Sequence, residues 1–83
     1  MAKAPVLILM GSDSDLASMN KCARILEEFG VGVHITVASA HRSPQRAQKL
    51  AENARQEGTK VIIAAAGLAA HLAGVIASHT LLP

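Results

Sequence analysis

Val6-Leu7-Ile8-Leu9-Met10-Gly11-Ser12-Asp13-Ser14-Asp15 decides the fold. Five apolar residues run without alternation, the pattern of a parallel strand covered on both faces, so the segment is expected at the centre of a sheet. The run breaks on a glycine followed by serines and aspartates, which are turn and helix-capping residues. Leu16, Met19, Cys22, Ala23, Leu26 and Phe29 then recur at helical spacing, and Gly30 closes the helix as its C-terminal cap.

The same grammar repeats outward from there. Val33-His34-Ile35-Thr36-Val37 alternates, as an edge or near-edge strand with one wetter face does, and His34 is expected to point outward. After Ser39-Ala40-His41-Arg42, Ser43 suits an N-cap and Pro44 a first helical residue. Ala47, Leu50, Ala51 and Ala54 form that helix's apolar stripe, and Gly58 ends it. Residues 61–66 are apolar throughout and predict a buried third strand, which Gly67 turns into a short helix over 68–76.

Strands alternating with helices give an α/β fold with a parallel sheet, and right-handed crossovers limit its topology. The expectation is a three-layer αβα, flavodoxin-like domain over residues 1–83 with strand order 2-1-3. Its crevice opens beyond the carboxyl ends of the first and third strands. Loops 11–15, 39–42 and 67–71 gather there with nearly every polar residue of chemical interest. Leu81-Leu82-Pro83 resembles the approach to a fourth strand. An apolar third strand without a neighbour is an exposed edge, so a shortened domain, or one completed by another subunit, is expected.

Composition removes several function classes. A chain of 83 residues buries only about 60–65% of its unfolded surface, which makes its core marginal alone. Apolar residues are 51% of the chain but Phe29 is the only aromatic, so packing falls to aliphatic side chains. The net charge of +2 is scattered and there is no Trp or Tyr, which argues against a nucleic-acid partner. Lone Cys22 forms no intrachain disulfide and fits a reduced, cytoplasmic setting. The apolar run 5–10 is too short for a secretory signal. Residues 61–77 carry no formal charge, but glycines and His71 interrupt them, so a strand and a helix explain them better than a membrane span.

His41 and Arg42 put a side chain that exchanges protons near neutrality beside a planar fork that grips phosphate or carboxylate. The plainer reading is a solvated polar turn, and the convergence of the three loops weighs against it. In loop 11–15, backbone N–H groups and hydroxyls at a helix N-terminus suit an anion, while Asp13 or Asp15 suits a sugar diol. N-capping by Ser12 or Asp13 is an equal reading, compatible with the first. Gly67 permits close backbone approach. His71 reads either as a second site histidine or as a buried one bonded to a backbone carbonyl, and His34 and His79 read as structural. The histidine spacing supports no metal site, and none is expected.

Taken together, Gly-Ser-x-Ser-Asp (11–15), Ser-Ala-His-Arg-Ser-Pro (39–44) and Ala-Gly-Leu-Ala-Ala-His-Leu-Ala-Gly (66–74) closely resemble the 5-(carboxyamino)imidazole ribonucleotide mutase family, the carboxylase catalytic subunits of purine synthesis. The resemblance covers essentially the whole chain, but the family's domain continues through further strands and a C-terminal helix. It implies a homo-octameric enzyme without cofactor or metal that moves a carboxylate from an exocyclic nitrogen to ring carbon 4 of an aminoimidazole ribonucleotide. By motif position, His41 would transfer the proton, Arg42 hold the phosphate and Asp15 the ribose hydroxyls. Ser12 would meet the carboxylate and ring, with Ser39, the Gly67 backbone and a supporting His71 nearby. Arg42 resembles the mutase branch rather than relatives that use carbon dioxide directly. Leu68 and Ala73 depart from the family's usual glycine and proline. The alternative is a non-catalytic fragment that binds ligand weakly or associates with full-length subunits. A flavin carrier would want flanking aromatics and a receiver domain an aspartate after the third strand, and neither is present.

Overall fold

The computed structural model describes residues 4–67 and 71–83. Its elements are β1 (Val6–Met10), α1 (Leu16–Glu28), β2 (Val33–Val37), α2 (Pro44–Ala54), β3 (Val61–Ala65) and α3 (Leu72–Ala77), with a 3-10 turn, Asp13–Asp15, ahead of α1. The three strands form one parallel sheet in the order β2-β1-β3, as expected.

β1 is central because all five of its residues are apolar and buried on both faces. Leu7 and Leu9 pack with Ala47, Ala51, Ala54, Leu72 and Ile76, on the side covered by α2 and α3. Val6, Ile8 and Met10 pack with Ala23, Met19, Cys22 and Leu26 of α1 on the other side. The chain moves one way along the sheet from β1 to β2 and back across it to β3. Crossovers of one hand therefore put α1 and α2 on opposite faces.

Register positions the loops. Met10 lies opposite both Val37 and Ala65, so the three strands end at one level. Two further bonds hold the exits together: Ala38 N–H donates to the Met10 carbonyl (2.8 Å) and Gly11 N–H to the Ala65 carbonyl (3.0 Å). A Cβ on Gly11 would stand 3.3 Å from that of Ala66, so glycine lets these two exits approach closely.

Gly30 caps α1 as predicted. Its φ is +77°, Gly30 N–H donates to the Glu27 carbonyl (2.9 Å), and Val31 N–H reaches back to that of Leu26 (3.0 Å), completing a Schellman motif. A Cβ there would meet nothing within 4 Å, so Gly30→Ala has only the backbone cost, about 1–2 kcal/mol. It is expected to lower the urea midpoint by about 1 M, read by circular dichroism.

Four expectations need correction. Leu16 (41% exposed) and Phe29 (80%) do not join the α1 stripe. Leu16 is the first residue of α1 and Phe29 its C-cap, so both stand at the ends of the helix, beyond the buried Ala23 and its neighbours that face the sheet. β3 ends at Ala65 rather than 66 and is half-exposed rather than buried, with Val61 39% accessible, because α1 packs on β1 and β2 while α3 packs on the opposite face of β3. The last helix begins at Leu72, since left-handed His71 (φ 57°) breaks helical continuity, and predicted residues 68–70 lie outside those described. Ser43 occupies the N-cap of α2 with Pro44 inside it, but its side chain makes no capping bond.

At the free edge of β3, Ile62 N–H donates to the Pro83 carbonyl (3.0 Å), and residues 80–83 form no strand. Cys22 packs on the inner side of α1 and His34 is exposed, both as expected. Among the described residues, no helix is long and apolar enough to cross a membrane.

Candidate active site

The exits of β1, β2 and β3 enclose a cleft of about 260 Å³. Its walls are Gly11, Ser12, Ser14 and Asp15 from the first loop, Ser39 and Ala40 from the second, and Ala66, Gly67 and Leu72 from the third. This is the crevice expected at the topological switch point, where the chain leaves β1 for one neighbour and reaches β3 by crossing back. A larger groove of about 410 Å³ along the outer side of α2 is lined by that helix and the turn after it, and receives no strand exit.

In the first loop, Ser12 caps the 3-10 turn by accepting from Ser14 N–H (3.3 Å), and the two serine hydroxyls are hydrogen bonded to each other. Ser12 therefore both caps and lines the cleft. Asp15 stands at the N-cap position of α1 without a side-chain capping bond, so its carboxylate keeps its acceptor capacity for other donors. Asp13 is exposed and is not a wall residue.

Ser39 organises the second loop. Its Oγ accepts from Arg42 N–H (3.0 Å) and its carbonyl from Ser43 N–H (2.9 Å), which coils residues 39–43 ahead of α2. A hydroxyl that accepts one bond still carries a proton to donate into the cleft. His41 and Arg42 follow wall residue Ala40, and both side chains are exposed.

The third loop brings His71 to the same place. His71 is exposed, which overturns its reading as a buried histidine, and its ring lies 6.2 Å from that of His41 in an edge-on arrangement of 72°. Its left-handed backbone costs about 1–2 kcal/mol and is held by the buried Leu72 and Ile76 that anchor α3. A Cβ on Gly67 would meet nothing within 4 Å among the described residues, so glycine there leaves open space at the wall. His79 lies 3.8 Å from the Glu52 carboxylate, away from the cleft.

Ser12, Asp15, Ser39 and Gly67 thus line one cleft; His41 and Arg42 follow wall residue Ala40, His71 precedes wall residue Leu72, and the two imidazoles lie 6.2 Å apart. Sequence reasoning missed Ser14, whose signal was the Ser-x-Ser spacing across one tight turn. It also missed Leu72, which reads as an ordinary core residue. The arrangement offers hydroxyl and carboxylate acceptors, one guanidinium and two imidazoles around a space of small-ligand size, a set suited to a polar, anionic ligand and to proton transfer.

Comparison with known proteins agrees with the geometry. The family model described as AIR carboxylase matches residues 5–83. The N5-carboxyaminoimidazole ribonucleotide mutase of Pyrococcus horikoshii is 60% identical over 98% of this chain and 46% of its own length. The mutase of Thermotoga maritima is 58% identical over 92% of this chain and 44% of its own. The phosphoribosylaminoimidazole carboxylase of Saccharomyces cerevisiae is 49% identical over the whole chain but only 14% of its own length. The chain spans about half the length of the mutases it matches. On the match of residues 5–83 and identities near 60%, the chain belongs to the AIR carboxylase family.

Proposed function

We propose that the chain carries the substrate half-site of an N5-carboxyaminoimidazole ribonucleotide mutase of purine biosynthesis, built on the first part of a flavodoxin-like domain and acting in the cytoplasm as a homo-oligomer, an octamer by resemblance to the family. The observation that carries this reading is the convergence of three separate strand exits, with the family's motif residues, on one cleft.

Arg42 pairs with the substrate phosphate and Asp15 accepts from the ribose hydroxyls. Ser12, Ser39 and the Gly67 backbone surround the ring and its carboxylate. The exocyclic nitrogen–carbon bond breaks to release carbon dioxide, and that nitrogen takes a proton. Carbon 4 then attacks the carbon dioxide, and His41 removes the proton from carbon 4, with His71 supporting. One proton is taken up and one released, so a single imidazole balances the cycle. No cofactor is required, because a held planar ring and one mobile proton supply the chemistry.

The test is incubation of the 83-residue chain with N5-carboxyaminoimidazole ribonucleotide, following formation of the carbon 4 carboxylate. Turnover supports the reading; its absence, together with no measurable binding of aminoimidazole ribonucleotide, sinks it. Arg42→Ala is expected to weaken that binding about 10- to 100-fold by calorimetry, the loss of one charge-assisted pair. A second reading, binding without turnover and association with full-length subunits, is favoured by the half-covered β3, whose Val61 is 39% exposed. Sedimentation of the chain mixed with a full-length relative separates the two.

A further inference from the structure

Arg46 is the third residue of α2, inside the first turn. The helix dipole disfavours a cation there, so an arginine at this place needs a compensating partner. Its partners lie on β2. Nε donates to the Val37 carbonyl (3.1 Å) and Nη2 to the Thr36 hydroxyl (2.8 Å).

The Val37 carbonyl is not an arbitrary acceptor. Ala38 N–H points at β1, where it meets the Met10 carbonyl, so the planar trans peptide turns the Val37 carbonyl outward, toward the free edge of the sheet. Arg46 therefore satisfies the last orphan acceptor of an edge strand and at the same time ties the end of β2 to the start of α2. The segment closed by this tie is 38–45, which contains Ser39, His41 and Arg42. Inside it, the two bonds to Ser39 form a smaller ring.

We propose that Arg46 is the positioning residue of this loop: its two-point clamp on Thr36 and Val37 fixes where His41 and Arg42 stand relative to the cleft. It is not itself a wall of the cleft and acts through the loop. A lysine cannot reproduce the clamp, because a single ammonium lacks the planar fork that spans two acceptors. The inference deepens the proposed function and rests on it for the meaning of the loop, though not for the clamp itself.

Amide hydrogen exchange on the 83-residue chain tests it, with Arg46→Ala, Arg46→Lys and, as a control on the same helix, Lys49→Ala. In Arg46→Ala the amides of Arg42 and Ser43 are expected to exchange about tenfold faster, while those of Ile8 and Leu9 in β1 change less than about twofold. Arg46→Lys falls between, and Lys49→Ala matches the parent. Affinity for aminoimidazole ribonucleotide should fall in the same order as loop protection. Unchanged exchange at Arg42 and Ser43 overturns the proposal, as does equal acceleration in β1, which would make Arg46 an ordinary stabilising residue. If the parent chain binds no ribonucleotide, the proposed function fails, and the exchange data alone decide the clamp.

Discussion

His41→Asn is expected to slow formation of the carbon 4 carboxylate at least about 100-fold while leaving aminoimidazole ribonucleotide bound. Asparagine keeps a polar side chain of similar reach but cannot take up and release a proton near neutrality, which is the one property the proposed chemistry asks of position 41. Losing a positioned general base costs about 10²–10⁴-fold in rate. Binding should change far less than turnover, because the proposed function gives the phosphate and ribose contacts to Arg42 and Asp15. His41 is exposed, and the ring it meets edge-on, His71, is exposed as well, so the urea midpoint should move little. Turnover of the parent that survives the substitution would remove His41 from the chemistry and turn attention to His71, whose ring is 6.2 Å away. Parallel loss of binding would instead give His41 a contact role.

How much of this could be read from the letters depends on the range of the forces involved. β1 was legible because a run of five apolar residues has one good solution, burial on both faces, and the structure places it so. The cap at Gly30 was legible because left-handed backbone favours glycine, and so was the left-handed turn at Gly58, although α2 itself ends earlier, at Ala54. The burial of β3 was not legible. It is wholly apolar like β1, and what separates them is which neighbours cover each strand, a property of the assembled layers. The same limit applies to His71. Its letter allowed a buried or an exposed ring, and the left-handed turn that exposes it depends on how α3 is anchored. That Ser12, Asp15, Ser39 and Gly67 would share one cleft was legible by convergence, since topology carries three strand ends to one place whatever their sequence. Arg46 was missed because its partners are nine and ten residues away. The available signal was a cation in the first turn of a helix, where the dipole opposes it.

Leu72→Ala joins the fold to the site and is expected to damage both. Leu72 is 1% exposed, packs in the layer formed by Leu7, Leu9, Ala47, Ala51 and Ile76, and is also a wall of the cleft. Truncating a buried leucine costs about 2–5 kcal/mol, the larger figures applying where neighbours cannot collapse into the space. Here α3 has only six residues and two buried side chains, Leu72 and Ile76, so the substitution removes half of what seats it. A domain of 83 residues has on the order of 4–12 kcal/mol of stability, so the loss is a large share of the whole. The urea midpoint should fall by roughly 2 M. The local consequence is separate from the global one: a loosened first turn of α3 releases His71 from its left-handed backbone and opens the cleft floor. Affinity for aminoimidazole ribonucleotide should therefore drop even at temperatures where circular dichroism reports a folded chain. Leu72→Met, which conserves volume, should cost less than about 1.5 kcal/mol and retain binding. If Leu72→Ala lowers stability but binds ligand as the parent does, the cleft floor is not set by α3, and the position of His71 has another cause.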